Sequence, residues 1–209
     1  MKKKICLALV MLISFTVLFP ANIFASDFSV GDILGDVLNT NVRTYINGER
    51  IPNYNINNRS VIILADLRNY GFDVVFNDET RVSSVTRNYG REFTPIEDIA
   101  DNTERAGTVA FQYVYTDIIA VLNGREVESF NVRGRLAIFF GDLRDFGDFE
   151  WDGEANASRL TLNDGRIVIT PTGRRYHFYN CRTVGENWQY ITREEAREAG
   201  YTACAICRP

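Results

Sequence analysis

The residues best placed to do chemistry are one histidine and three cysteines near the end of a 209-residue chain. Three residues lie between His177 and Cys181, two between Cys204 and Cys207, and 22 between the pairs. Close pairs of imidazole and thiolate donors flanking a short insert are the usual form of a tetrahedral zinc site. With four protein ligands the ion keeps no open position, so the expected zinc is structural and not catalytic. Two other readings compete. In an exported protein cysteines form disulfides by default, but three cysteines leave one thiol over once Cys6 departs with the signal segment. A redox Cys-x-x-Cys normally precedes a helix that lowers the thiol pKa, and here only Arg208 and Pro209 follow.

The insert carries the signals needed to position those ligands. Thr192-Arg193-Glu194-Glu195 is a capping box, so a short helix is expected through Ala199, with Gly200 as its C-cap. A module of residues 171–209 is too small to build much core, so a staple is needed.

At the other end, Met1-Lys2-Lys3-Lys4 precedes an apolar run from Ile5 to Phe19, broken at Pro20, with a small residue at Ala25. Residues 1–25 therefore read as a cleaved secretory signal peptide, and no later stretch is long and apolar enough to span a bilayer. Cleavage removes every lysine. The 23 basic residues fall to 20, all arginine, against 27 acidic ones, a net charge of −7. The charge is uneven: residues 171–209 hold six arginines and four glutamates, a net of +2, which leaves −9 for residues 26–170. Such a balance disfavours DNA or an anionic membrane as a partner for the whole chain. Catalysis is equally hard to support, because the only histidine is spent in the cluster and no Ser-His or Cys-His pair exists elsewhere.

Between the two ends the chain repeats itself. Tyr45-Ile46-Asn47-Gly48, Tyr54-Asn55-Ile56 and Ala65-Asp66-Leu67-Arg68-Asn69-Tyr70-Gly71 recur 76 residues later. The second copy reads Val121-Leu122-Asn123-Gly124, Phe130-Asn131-Val132 and Gly141-Asp142-Leu143-Arg144-Asp145-Phe146-Gly147. The copies span residues 42–90 and 112–163. Asn-Gly between apolar runs predicts a type I′ hairpin. The apolar stretches Val61–Tyr70 and Leu136–Phe146, each ending at a glycine, predict a helix with a glycine C-cap. Phe72–Phe76 and Arg81–Thr86 predict a closing hairpin. The expected fold class is α+β: two small repeated modules of antiparallel strands plus a helix, followed by the zinc-stapled module. The repeated Asp-Leu-Arg reads as a solvated helix face. Phe130, Phe146, Trp151 and Trp188 could line a groove, with Phe146 and Trp151 better read as core.

The pattern of apolar-Asn-Gly, Asp-Leu-Arg, aromatic-Gly and a strand ending in an aromatic before Asn or Asp resembles the stalk-type domain, labelled copper amine oxidase N-terminal-like. That domain recurs, often in tandem, in exported proteins of Gram-positive bacteria. The resemblance covers residues 42–86 and 115–162. It implies a non-catalytic appendage with neither copper nor oxidase chemistry, and neither repeat contains a histidine. Residues 173–209 resemble the metal-binding domain of the Ada-type DNA repair protein, in ligand-x3-Cys, an Ala-rich helix ending in glycine, and Cys-x2-Cys. Where that family has a methyl-accepting cysteine this chain has His177, so the resemblance implies the zinc knuckle without methyl transfer. The expectation is an exported cell-envelope binding or scaffold protein whose partner is a cell-surface protein or glycan. Nucleic-acid binding through the knuckle, or extracytoplasmic metal or redox sensing, remain as alternatives.

Overall fold

A computed structural model describes residues 28–209; the signal segment, residues 1–25, lies outside the described residues. Among these, 43% are strand and 13% helical, which overturns the α+β expectation: the protein is mostly β. The first copy runs β1 (Ile33–Leu38), β2 (Arg43–Ile46), β3 (Glu49–Ile51), β4 (Tyr54–Ile56), β5 (Arg59–Ile63), a 3-10 segment (Leu64–Tyr70), β6 (Phe72–Asn77) and β7 (Val82–Arg87). The second repeats it as β8 (Val109–Val114), β9 (Ile119–Leu122), β10 (Arg125–Val127), β11 (Ser129–Val132), β12 (Arg135–Phe139), a 3-10 segment (Phe140–Phe146), β13 (Gly147–Asp152) and β14 (Ala157–Leu162).

The predicted helices begin as strand instead, because Val61–Ile63 and Ala137–Phe139 are buried without alternation. A short apolar run of that kind reads the same in a helix or a fully buried strand. What remains helical is one tight 3-10 stretch of seven residues per copy. The Asn-Gly turns form as predicted, with φ of 50° and 86° at Asn47 and Gly48, and 48° and 78° at Asn123 and Gly124. A second hairpin turn of the same handedness sits at Asn57-Asn58 and at Arg133-Gly134. Gly71 caps its 3-10 segment at φ 78°. Gly147 does not: with the second copy one residue shorter, it becomes the first residue of β13 at φ 175°. A Cβ there would lie 2.0 Å from the Thr161 carbonyl oxygen, so close strand approach is what requires the glycine.

The expected pair of separate modules is also replaced, because the copies interlock. A closed barrel takes three strands from each, in the order β1-β4-β5-β12-β11-β8. Its two inter-copy seams pair equivalent strands antiparallel about local two-fold axes. Ile62 faces Ile138 between β5 and β12, and Asp36 faces Gln112 between β1 and β8. The remaining hairpins are exchanged. The β6–β7 hairpin of the first copy joins β9–β10 of the second through a parallel β7–β9 pairing, and β13–β14 joins β2–β3 likewise through β14–β2. The larger core draws on both copies, with Ile46, Leu67, Tyr70 and Phe72 packed among Leu122, Ile138, Phe140, Leu143, Phe146 and Leu160. Between the copies, Phe93 and Ile96 pack on this core, and the Ile96 N–H donates to the Tyr70 hydroxyl at 3.3 Å.

Asp66 is buried and ion-paired with Arg135 of the other copy, not on a solvated face. The four aromatics form no groove. Phe130 and Phe146 are core, whereas Trp151 is 54% exposed, as is Phe76 to 44% at the equivalent position of the first copy.

The C-terminal module forms its own four-stranded sheet, in the order β17-β15-β16-β18. The strands are β15 (Ile167–Ile169), β16 (Arg175–Phe178), β17 (Gln189–Ile191) and β18 (Thr202–Ala203), so the sheet begins before residue 171. Helix α1 (Arg193–Glu198) precedes β18. A small core of Ile167, Ile169, Tyr176, Phe178 and Ala196 lies beneath that helix.

Candidate metal centre

Each ligand predicted from spacing is delivered by a different local device. His177 lies on β16, where its backbone pairs with Val168 of β15. Cys181 follows the end of that strand in a tight turn, its N–H donating to the Phe178 carbonyl at 3.0 Å. Helix α1 supplies the return path. Thr192 accepts from the Glu195 N–H at 3.1 Å, and the Glu195 carboxylate accepts from the Thr192 N–H at 2.9 Å, which is the predicted capping box. The helix ends at Ala199, and Gly200 follows in the left-handed region at φ 81°. The chain then pairs β18 parallel to β16, and the Cys204 N–H donates to the Tyr176 carbonyl at 3.0 Å. That pairing fixes Cys204 beside His177. Cys204–Cys207 closes as a knuckle, with the Ile206 N–H 3.4 Å from Cys204 Sγ and the Arg208 N–H bonded to the Cys204 carbonyl at 2.9 Å.

The structure therefore brings together all four predicted residues. Their donor atoms lie within 4.8 Å of one another; His177, Cys181 and Cys204 are buried and Cys207 is partly so. The three cysteines are free thiols. With metal–sulfur bonds of about 2.3 Å, a tetrahedral site has donor–donor edges of about 3.8 Å. The observed cluster reaches that by a small contraction and fits a metal ion.

Its electrostatics point the same way. Burial, helped by the charge of Arg175, depresses the His177 pKa, which keeps the imidazole in the neutral form that ligates metals. Burial pushes Cys207 well up, and the neighbouring Cys181 and Cys204 sulfurs add to the effect. Burial also raises Cys204, but N–H groups of Cys207 and Ile206 together with side-chain donors outweigh it, and the net shift is downward. One thiol is thus prepared to ionise while another cannot do so beside it. A bound cation removes that conflict, because a coordinating thiol is deprotonated outright.

Spacing gave no indication of Thr183. Its hydroxyl lies 3.1 Å from Cys181 Sγ, 3.3 Å from His177 Nδ1 and 4.0 Å from Cys204 Sγ. A hydroxyl there can donate to a thiolate and orient a ligand from outside the donor set. Its only sequence signal is its place two residues after Cys181.

No protein-family model matches the chain, and no curated protein or solved structure is significantly similar to it. Among the described residues no helix is long and apolar enough to cross a membrane. A buried cluster of one imidazole and three thiols, able to hold a metal ion, is thus the chemistry that the fold builds.

Proposed function

We propose that the chain is an exported, non-catalytic cell-envelope protein, a binding or scaffold module whose C-terminal segment is stapled by one structural zinc ion. The observation that carries the zinc assignment is the closed donor set. His177, Cys181, Cys204 and Cys207 converge to within 4.8 Å with borderline-soft N and S donors, the combination that suits tetrahedral zinc. Hard cations such as Mg²⁺ or Ca²⁺ take oxygen ligands. Four protein ligands leave no position for a reactive water, which favours a structural role. The lysine-headed apolar start of the sequence supports export. The interlocked body supports a scaffold role, since its shared core leaves no hinge between the copies. A cell-surface protein or glycan is the partner class this reading assigns.

The test is an intact mass of the purified secreted protein under native and then denaturing conditions. The expected result is one zinc per chain, lost on denaturation, with three free thiols left. A metal-free native mass two hydrogens light would mean a disulfide and end the zinc reading.

A further inference from the structure

Four arginines, Arg87, Arg193, Arg197 and Arg208, line one cavity of about 200 Å³ where the C-terminal module meets the interlocked body. They come from the end of β7, from α1 and from just beyond the knuckle. Tyr89, Phe178 and Asn123 complete much of the wall, and no Asp or Glu side chain lines it. None of the four is ion-paired among the described residues, although seven other arginines are. The Nε atoms of both Arg87 and Arg193 are buried without a hydrogen-bond partner. Leaving such a donor unsatisfied costs about 1–3 kcal/mol, more for a charged group, so both guanidinium groups stand at the cavity with hydrogen-bonding capacity unspent.

The surroundings hold these guanidinium groups in place without neutralising them. Arg87 Nη1 donates to the Gly71 carbonyl and, at 3.0 Å, to that of Asn88. Arg208 Nη1 reaches the Asn123 carbonyl at 3.4 Å. Arg193 lies 5.6 Å from the Tyr89 ring centroid and 5.9 Å from that of Phe178. Of the three carboxylates of the adjoining hollow, Asp164 pairs with Arg166 and Glu195 accepts from Thr192, while Glu194 lines that hollow and not the arginine cavity. Burial without a carboxylate partner holds the Arg87 pKa below its ordinary value.

We propose that this cavity is a binding site for a tetrahedral oxyanion, either inorganic phosphate or the terminal group of a phosphomonoester. Several guanidinium groups lining one small cavity suit an ion with acceptors on every side, whereas a planar carboxylate is satisfied by a single fork. The volume falls below the range of about 300–1,000 Å³ that drug-sized ligands occupy, so a single anionic group is the right scale. Arg197 lines the cavity and is exposed, so the cavity opens to solvent and leaves an ester substituent a way out. Because the arginines belong to both the body and the module, the bound anion clamps one to the other. The four metal ligands take no part in it.

The experiment is calorimetric titration of the purified protein with inorganic phosphate and, separately, with glucose 6-phosphate. Metal content and thermal unfolding are recorded for each variant. Saturable one-site binding of phosphate is expected. Arg193→Gln and Arg197→Gln should each weaken it about tenfold, the scale of one lost charge-assisted hydrogen bond. Arg197 is exposed, so its variant keeps the fold even if Arg193→Gln disturbs α1. Arg105→Gln, an exposed change in the segment joining the copies, should leave binding unaltered. Equal binding of the ester would show that the site takes a terminal phosphate group, and binding of phosphate alone would show that it takes the free ion. Absence of saturable binding by either probe, or an Arg105→Gln loss as large as that of Arg197→Gln, overturns the site. Neither result bears on the metal count.

Discussion

Stripping the metal should unfold the C-terminal module and leave the interlocked body standing. The module's core contains four large buried side chains, Ile167, Ile169, Tyr176 and Phe178. At about 2 kcal/mol each they contribute about 8 kcal/mol, an upper estimate because the unfolded chain already hides some of this surface. Its helix has only six residues, Arg193–Glu198, against the roughly 12–15 below which an isolated helix is marginal in water. Structural zinc contributes about 10–16 kcal/mol in small zinc-binding peptides, more than that core contributes, so on the proposed zinc reading its removal leaves the module without its largest source of stability. The chain has two tryptophans, one in each part, so each part reports on itself. Trp188 packs edge-to-face on Tyr190 with ring centroids 4.8 Å apart, while Trp151 lies on β13 of the body. In a Trp151→Phe variant, a strong chelator should shift Trp188 emission to the red and make the chain beyond residue 170 sensitive to protease. In a Trp188→Phe variant, Trp151 emission and the main unfolding transition should stay put. Unchanged Trp188 emission with protected module amides in demonstrably metal-free protein would refute the reasoning, because core and strands would then suffice without a staple.

Ile62→Ala empties a position at which the two copies face each other, fully buried opposite Ile138. It should cost about 2–5 kcal/mol and lower a single cooperative transition for the whole body. Circular dichroism with hydrogen exchange would detect the alternative, loss of protection in the first copy alone, which interlocking forbids. Asp66→Asn should stabilise the protein near neutral pH. Burial lifts the Asp66 pKa more than Arg135 lowers it, and the Arg135 side chain is itself half-exposed, so the ion pair is screened. A carboxyl whose folded pKa lies above its unfolded value favours the folded state when protonated. Wild-type stability should therefore decline as pH rises through the range just above the ordinary aspartate value, then level off. The variant's advantage should appear across that range and vanish below it, and denaturant midpoints at pH 3 and pH 7 would check the sign.

Local chemistry was legible in the sequence wherever it depended on near neighbours. The Asn47-Gly48 and Asn123-Gly124 turns, the Thr192–Glu195 capping box and the close spacing within each pair of candidate metal ligands concern residues a few positions apart, and each is present in the structure. The turn at Asn57-Asn58 went unread because its partner in the second copy is Arg133-Gly134. An arginine with positive φ carries no turn signal, and only the glycine after it does. Val61–Ile63 went to strand because a run buried on both faces has no period to read.

The interlocking had no sequence signal because it depends on which copy supplies a strand's partner, and a repeat presents two chemically equivalent choices. Either copy could pair its own β2 with its own closing hairpin; pairing with the other copy's hairpin preserves the same register, as Val82 opposite Ile119 and Ala157 opposite Arg43 show. The exchange brings an added contact that separate copies would lack. Equivalent strands β5 and β12 meet across a two-fold and bury Ile62 and Ile138 together, while β1 and β8 do the same at the far seam and close the barrel. Closure removes the sheet edges that two separate open modules would expose. The same arrangement places the end of β7 from one copy and the Asn123 turn of the other side by side beneath the C-terminal module. The arginine-lined cavity thus arises from an exchange of strands that no single copy, read alone, could reveal.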